Sequence, residues 1–535
     1  MPVTPNEKVD VLIIGAGAAG AAVAWSLADT RMRILCLDQG DWVKPEDYPA
    51  NGLDWETRQD FHTHANVRQR PEDYPVMDDD SPVKPVNFNG VGGSTILYMA
   101  HFPRMHPSDF RTRSLDGVGD DWPIDYQTLE PWFALNDRMM GVAGLAGDPA
   151  VPAKEGLLPP VPLGRLGERV ASGFNKLGWH WWPSESAIAT VPYEGRDRCL
   201  NLGPCSSGCA QGAKASTDIT YWPHALRAGV ELRTRCRVRE ITLDKAGMAD
   251  GVIYYDENGI EQRQDAEVVI LAASGLGTPR ILLNSRSTAF PDGLANSSGL
   301  VGRNLMLHAM SLVQGRFDER LEGYAGPIGC ALWSKEFYET DLSRGYARGY
   351  TMEIVRGSGP VGAALGGTMS GSLPWGSQHH AAFDALFDRT ATIVSVGEDL
   401  PEEENHITLD TDHTDTNGIP GVRINYRYGE NSERMVAHAG QRSIEILEAA
   451  GAVSTGPIIT WGVSSGHHMG TARMGSDPTR SVVNEWGRSH DVKNLFIVDS
   501  SVFVTSGGVN PTSTLQAVAL YIADTMKHRL ANLFD

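Results

Sequence analysis

Two short segments near the end of the 535-residue chain carry the side chains best suited to chemistry. Residues 464–475 are rich in glycine and contain His467 and His468, two of only 16 histidines. Residues 506–512 are also glycine-rich and contain Asn510. An imidazole is neutral at pH 7 when its pKa is near the ordinary value of about 6.5, so it can accept a proton from a substrate. A base by itself does not define a reaction. The first part of the chain predicts the ligand that would work with it.

The N-terminal segment has the pattern of a dinucleotide-binding turn. Residues 9–14 form a short apolar run typical of a buried parallel strand, and Gly15, Gly17 and Gly20 follow in a G-x-G-x-x-G turn. The first glycine permits the tight turn, the second allows a pyrophosphate to approach, and the third brings the helix against the strand. Asp38 ends the next strand, where an acid can bind ribose hydroxyls. A purely structural glycine turn is the alternative.

A second glycine-rich turn covers residues 89–95. Gly92 and Gly93 would let the backbone run against the face of a flat ligand, and Ser94 and Thr95 supply hydroxyl groups. An ordinary loop is the alternative here. The helix predicted over 515–529 begins just after Asn510, and the positive end of its dipole suits an anionic ligand edge.

The remaining pattern predicts an α/β fold in two domains. Residues 266–273 and 494–499 are apolar runs that would complete the sheet begun at residues 9–14. Residues 350–354 and 392–396 alternate as in a largely antiparallel sheet, and a hairpin and a helix over 431–450 follow. We therefore predict a Rossmann-like domain over 1–310, completed by 455–535, and a substrate domain over 311–454.

Composition and charge exclude several classes of protein. The chain is 41% hydrophobic and 21% charged, which is typical of globular proteins. Its formal net charge of −20 disfavours nucleic acid and anionic membrane surfaces as partners. The apolar run over 11–28 fits a strand, a turn and a helix better than a membrane span, and no positive segment precedes it. We expect a cytoplasmic protein.

No set of residues predicts a metal site. Cys199, Cys205 and Cys209 supply three sulfurs at spacings that match neither zinc pairs nor ferredoxin runs. A disulfide or free thiols are the preferred alternative. His62 and His64 lack a third ligand in the sequence around them.

Taken together, the motifs resemble those of the glucose–methanol–choline (GMC) oxidoreductases, FAD-dependent enzymes that oxidise alcohols. Within that family, the chain most resembles the bacterial pyranose oxidases and the glycoside or sugar oxidases and dehydrogenases. The resemblance covers nearly the whole chain in order: residues 15–20 with Asp38, 92–95, 272–275 with 279–280, 301–305, 467–475, Asp499 and 510–512.

The resemblance implies a role for individual residues. His467 and Asn510 would form the catalytic pair, with His467 as the base, while His468 occupies a variable position of the motif. Asp499 would contact the ribityl chain or the pyrophosphate, and the backbone of Val238 would pair with adenine. The expected cofactor-binding set is Gly15, Gly17, Ala18, Ala19, Gly20, Asp38, Gln39, Gly92, Gly93, Ser94, Thr95, Val238, Ala273, Asp499, Asn510, Pro511 and Thr512.

The resemblance also bears on attachment and substrate. Pyranose oxidases link FAD to a histidine after the double glycine, and that position here is Leu97, so we predict non-covalent FAD. Hydride would pass to flavin N5. The expected substrate is a secondary hydroxyl of a sugar or glycoside, oxidised to a ketone; a polyol, aromatic or sterol-like alcohol is the alternative, and a non-redox lyase is a third. Dioxygen and a quinone-like compound both remain open as electron acceptors. Some sugar dehydrogenases of the family carry iron–sulfur clusters, but the cysteine spacing here differs.

Overall fold

The structure, a computed structural model of the chain, describes residues 7–48, 56, 73–327, 329, 331–357, 359–369, 371–460 and 465–529. His62 and His64 lie outside the described residues. Within these ranges every helix is too short or too polar to span a lipid bilayer. The cytoplasmic location expected from the composition stays a prediction.

The described part of the chain contains both strands and helices. The strands are β1 (Val9–Ile14), β2 (Ile34–Leu37), β3 (Val76–Asp80), β4 (Trp182–Pro183), β5 (Glu231–Arg233), β6 (Arg237–Leu243), β7 (Ala249–Tyr255), β8 (Glu261–Leu271), β9 (Ala309–Arg316), β10 (Leu332–Ser334), β11 (Tyr350–Val355), β12 (Thr390–Gly397), β13 (His406–Thr414), β14 (Pro420–Asn425), β15 (Ser454–Thr455), β16 (Ile459–Thr460) and β17 (Leu495–Ile497). The α-helices are α1 (Ala18–Leu27), α2 (Thr112–Asp116), α3 (Tyr126–Met140), α4 (Gly164–Leu177), α5 (Trp222–Arg227), α6 (Ser274–Asn284), α7 (Pro360–Met369), α8 (His379–Leu386), α9 (Glu430–Ala449) and α10 (Thr512–Arg529). Runs of consecutive strands occur at β5–β8, β9–β11 and β12–β14.

The first sheet joins strands from distant parts of the chain. Its order is β5-β2-β1-β8-β7-β6, with β17 added beside β8. The strands β5, β2, β1, β8 and β17 are parallel, and β7 and β6 run antiparallel. The long β8 pairs with β7 through its first half and with β17 through its last residues. The predicted strands over 9–14, 266–273 and 494–499 are therefore confirmed, and the α/β fold class with them.

The second sheet is antiparallel, as predicted. Its order is β15-β9-β12-β11-β10-β4, and β16 also pairs with β9. Helix α9 packs against β9, β11 and β12, and α4 packs against α9. Strand β4 lies within the range assigned to the first domain, and the domain boundaries proposed from the sequence stay predictions.

A third, three-stranded sheet was only partly foreseen. The predicted hairpin exists as β13 and β14, but it pairs with β3 and does not join the second sheet. Strand β3 has the sequence VMDDD and no alternation of apolar residues, so its pattern alone does not indicate a strand.

The glycine turn after β1 is close-packed for the reason expected of the motif. Gly15 has φ +105°, and a Cβ there would lie 2.4 Å from the carbonyl oxygen of Ala272, at the end of β8. A Cβ on Gly20 would lie 1.9 Å from the carbonyl oxygen of Gly15. Helix α1 can therefore cross the end of the sheet only if these positions have no side chain.

We predict that Gly20→Ala lowers the melting temperature, because the added methyl group overlaps backbone that cannot move away. Overpacking of this kind costs on the order of 3 kcal/mol. Gly366→Ala is the matched control: Gly366 is an exposed residue of α7 that does not line the cavity described below, and a Cβ there would meet no atom within 4 Å. Thermal unfolding followed by circular dichroism measures both variants. Equal melting temperatures for Gly20→Ala and the wild type would contradict the packing argument.

Candidate active site

A cavity opens at the carboxyl ends of β1, β2 and β8, where open parallel sheets bind their ligands. The second sheet forms its opposite wall through β9, β11 and β12. Most of the predicted cofactor residues line it: Gly15, Gly17, Ala18, Ala19, Asp38, Gln39, Gly93, Ser94, Thr95, Val238, Ala273, Asp499, Asn510, Pro511 and Thr512.

Two of the predicted residues lie behind the cavity wall. Gly20 packs α1 against the first turn, as described above. Gly92 has φ +97°, its N–H donates to the carbonyl oxygen of Ala16 at 3.0 Å, and its own carbonyl accepts from the hydroxyl of Thr95 at 2.5 Å. Both shape the cavity, and neither is among the described residues that line it.

The two glycine turns meet at one side of the cavity. A Cβ on Gly93, at φ +52°, would lie 2.7 Å from the Cα of Gly17. Bare backbone from both turns therefore faces the same space beside the N-terminus of α1. Such a surface can contact phosphate oxygens through N–H groups, which fits the pyrophosphate of a dinucleotide.

Two buried acids border this surface. Asp38 accepts hydrogen bonds from the N–H of Ala16 at 2.7 Å and of Gly40 at 2.8 Å. Asp499 accepts one from the N–H of Ser501 at 2.9 Å and another from the hydroxyl of Thr278. Burial raises the pKa of both carboxyl groups. Because each carboxylate oxygen has two lone pairs, both acids can still accept from a ligand hydroxyl.

His467 is held by a second histidine that the sequence did not single out. The Nδ1 atoms of His467 and His308 are 2.8 Å apart. The Nε2 atom of His308 lies 2.8 Å from the carbonyl oxygen of Gly507 and 3.3 Å from that of Ser506. Carbonyl oxygens only accept, so His308 carries its proton on Nε2 and presents Nδ1 as an acceptor. His467 must then donate from Nδ1, which leaves a lone pair on its Nε2.

The surroundings keep both imidazoles neutral. Burial lowers the pKa of His467 well below its ordinary value, and the nearby His308, His468 and His101 lower it further. Burial lowers the pKa of His308 to about 4. His467 lines the cavity and is only partly buried, so its free nitrogen is available to a ligand.

The adjacent His468 has a different environment. It is buried, and its Nε2 lies 2.9 Å from the carbonyl oxygen of Ser465. Its carbonyl oxygen packs against α6, where a Cβ on Gly275 would lie 2.4 Å away. His468 therefore helps to fix the loop that carries His467.

Two polar residues that the sequence analysis also missed line the cavity. Glu353 on β11 and His101 line the cavity near Asn510. Asn510 directly precedes the turn into α10, and it is close enough to the Glu353 carboxyl to lower the pKa of that group. His308 could have been noticed, because it follows the recognised block over 301–305 by three residues; Glu353 and His101 carry no motif.

The cysteines and Leu97 bear on the predictions about metal binding and flavin attachment. The five described cysteines, Cys36, Cys199, Cys205, Cys209 and Cys236, form no disulfide. Across the described ranges no three His, Cys, Asp or Glu side chains come together as a site for a metal ion. Leu97 lines the cavity at the position where a histidine would attach a flavin.

Comparison with known proteins identifies the family. Two family models described as GMC oxidoreductase match residues 170–310 and 401–519. The chain is 40% identical to the 2-methyl-1,2-propanediol dehydrogenase of Mycolicibacterium austroafricanum, over 99% of this chain and 97% of that one. The chain belongs to the GMC oxidoreductase family.

This GMC oxidoreductase is therefore an enzyme, as the resemblance predicted, and its relatives are named dehydrogenases and oxidases. It is 28% identical to the fructose dehydrogenase large subunit of Gluconobacter japonicus, over 98% of this chain and 99% of that one. A formate oxidase variant of Aspergillus oryzae, studied for modification of its FAD, has a similar fold with a TM-score of 0.68 and 16% identity, over 99% of this chain and 100% of that one.

Proposed function

We propose that this enzyme oxidises a hydroxyl group of a small alcohol, with FAD held non-covalently in the cavity. The observation that carries the proposal is the neutral His467, whose proton is fixed on Nδ1 by His308 and whose Nε2 keeps a lone pair in the cavity that Asn510 also lines. A cavity bordered by two glycine turns supports FAD, because bare backbone and a helix N-terminus suit a pyrophosphate.

The chain's residues would hold FAD along the whole length of the cavity. Residues 15–19 and 93–95 would contact the pyrophosphate, and Asp38 would bind the adenosine ribose. Val238 would face the adenine through its backbone, and Asp499 would contact the ribityl chain. The N-terminus of α10 would lie at the flavin ring. When bound, FAD supplies the acceptor for a hydride from the substrate carbon.

The protein residues handle the proton. The substrate hydroxyl would donate its proton to Nε2 of His467. The hydrogen on the carbon that bears this hydroxyl would leave with its electron pair, so that a carbon–oxygen double bond forms. Asn510 would hydrogen-bond the same hydroxyl oxygen and orient it. His308 would keep the proton of His467 on Nδ1, so that the lone pair stays on the atom that faces the substrate.

We infer a polyhydroxylated substrate. A secondary hydroxyl of a sugar or glycoside is the first candidate, supported by the fructose dehydrogenase relative. A non-sugar diol is the second, because the relative with 40% identity is named for one. A lyase is disfavoured, because a neutral base and a polarising amide at a flavin site suit oxidation.

Anaerobic bleaching of the flavin band near about 450 nm tests the function. The panel contains sugars, glycosides, 1,2-diols and monohydric alcohols, and hydrogen peroxide is measured after air is readmitted. Bleaching by at least one alcohol is the expected result. Peroxide formation would identify dioxygen as the acceptor, and its absence would favour a quinone-like one. A protein that binds FAD but is bleached by no alcohol would contradict the proposal.

His467→Ala should retain FAD but reduce the flavin at least about 100-fold more slowly, because the nitrogen that would accept the hydroxyl proton is lost. Stopped-flow absorbance under anaerobic conditions measures the rate. His224→Ala, which removes an exposed imidazole on α5, is the matched control and should reduce at the wild-type rate. Near-native reduction in His467→Ala would rule out the assignment.

Acid precipitation should release all of the flavin from the protein, because Leu97 offers no nucleophile at the attachment position. The absorbance of the supernatant measures release, and denatured pellets should be colourless. A yellow pellet would contradict non-covalent binding, and peptide mapping would then identify the attached residue.

His308→Ala should slow flavin reduction by at least about 10-fold, because His467 loses the acceptor that fixes its tautomer. His308→Asn should restore much of the rate, since asparagine offers an acceptor and tolerates the left-handed backbone found here, φ +62°.

The pH profile provides a second readout for His308. In the wild type the pKa of His467 lies well below 6.5, so reduction should persist as the pH falls through 6.5 and decline only below it. Because His308 contributes to that lowering, its removal should move the decline to higher pH. An unchanged acid limb in His308→Ala would indicate a merely structural role.

A further inference from the structure

A buried polar pair faces the cavity, with Glu353 on the second sheet and His101 outside it, and neither residue is among those assigned to proton transfer. Glu353 lies on the cavity face of β11. Val355, two residues further along the same strand, and Val394, the partner of Glu353 on β12, also line the cavity. Val396 and Met310, which pair with each other across β12 and β9, complete this wall. Glu353 is thus the single acid among the residues that this sheet contributes to the cavity.

His101 reaches the same place from the other side. It is buried and lines the cavity, and its Nε2 lies 3.6 Å from Oε2 of Glu353. That distance is too long for a hydrogen bond. Neither ring nitrogen of His101, nor Oε1 of Glu353, hydrogen-bonds another described residue. Buried polar atoms without a partner are costly, so their presence on a cavity wall indicates a ligand group that pairs with them.

The surroundings favour an uncharged ligand group. Burial raises the pKa of Glu353 to about 8, against the opposing effects of the nearby Lys335 and Asn510 side chains. Burial lowers the pKa of His101 to about 4, and Lys335 contributes to that lowering. Near pH 7 the pair is therefore a protonated carboxyl and a neutral imidazole, which offer both donors and acceptors. A hydroxyl group, which also donates and accepts, is the complement.

The pair lies near the residues proposed to handle the reacting hydroxyl. Glu353 and His101 line the same cavity as Asn510, which would hold the reacting hydroxyl, and His467. Asn510 is close enough to Glu353 to lower the pKa of that carboxyl, and His101 is close enough to His467 to lower the pKa of that imidazole. A hydroxyl bound by the pair would therefore lie near the reacting hydroxyl, as it does in a vicinal diol. The valine and methionine side chains beside Glu353 would contact the carbon skeleton.

We propose that Glu353 and His101 form a subsite for the hydroxyl next to the one that is oxidised, so that the enzyme selects vicinal diols, including the diol units of sugars, over monohydric alcohols. The proposal rests on the proposed function and narrows its substrate class. The pair contacts the non-reacting hydroxyl, so its contribution is to binding and orientation.

The test compares 1,2-butanediol, 1,4-butanediol and 1-butanol as reductants of the bound flavin in anaerobic stopped flow. A site that hydrogen-bonds a hydroxyl discriminates strongly against a ligand that lacks it, and we expect kred/Kd for 1,2-butanediol to exceed that for 1-butanol by about 30-fold or more. The 1,4-diol should behave like 1-butanol, because its second hydroxyl is displaced. D-Glucose and its 2-deoxy and 3-deoxy analogues provide the same comparison for a sugar.

The variants assign the selectivity to the pair. Glu353→Leu extends the apolar wall. It should reduce the selectivity ratio, which is kred/Kd for 1,2-butanediol divided by kred/Kd for 1-butanol, by at least about 10-fold. Glu353→Gln retains a donor and an acceptor and should keep the ratio within about 3-fold of the wild type. Glu433→Leu, on the exposed side of α9, is the matched control and should change nothing. If Glu353→Leu does not purify with flavin, His101→Leu provides the same readout.

Three outcomes would overturn the subsite. A wild-type ratio near one would mean that the second hydroxyl is not bound. An unchanged ratio in Glu353→Leu would mean that another residue binds it. An equal loss of kred/Kd for the diol and the monohydric alcohol in Glu353→Leu would mean that Glu353 acts only by orienting Asn510. Failure of the proposed function is separate, because then no alcohol would reduce the wild-type flavin.

Discussion

The parallel pairing of β1 between β2 and β8 is the constraint on which the rest of the molecule depends. It places the glycine turn after β1 against the carbonyl oxygen of Ala272, and so brings the residues after β8 to the same cavity. Strand β17 then extends the sheet beside β8, and the chain that leaves it reaches Asn510 and α10. Groups from both ends of the chain meet because three strands share one edge.

The chemistry depends on a chain of hydrogen bonds that runs from backbone to base. The carbonyl oxygens of Ser506 and Gly507 fix the tautomer of His308, and His308 fixes that of His467. No charged residue takes part in this chain. A carboxylate in the place of His308 would stabilise a protonated His467, whereas a neutral imidazole in a buried site keeps the base unprotonated before the substrate arrives.

The parts of the fold that could be predicted from the sequence are those set by local patterns. Strand β1 and helix α9 were predicted within one or two residues, because a continuous apolar run and a helical period are properties of a single segment. Strand β3 was missed, because its sequence VMDDD acquires order only by pairing with β14. The separate third sheet was missed for the same reason.

The residues of the candidate site also fall into those that local motifs predict and those that long-range contacts define. His467, Asn510 and the glycine turns belong to motifs and could be found by resemblance. His308, Glu353 and His101 could not be assigned, because what defines them is a contact between segments far apart in sequence, such as the 2.8 Å approach of His308 to a residue 159 positions later. A single sequence does not show how distant segments pack against one another, and that packing creates such contacts.

The discontinuity of the first sheet has a consequence for biosynthesis. The wall formed by Asp499, Asn510 and Thr512 comes from the last part of the chain, while Gly15 and Asp38 come from the first. During translation the early residues leave the ribosome long before the late ones exist. The cavity is therefore complete only after synthesis has passed residue 512, although β1 can pair with β2 and β8 once residue 271 has been made. The early residues 15–38 could therefore hold FAD together with the wall at 499–512 only after that point, and a chain that ends before residue 499 would keep the sheet around β1 but lack this wall.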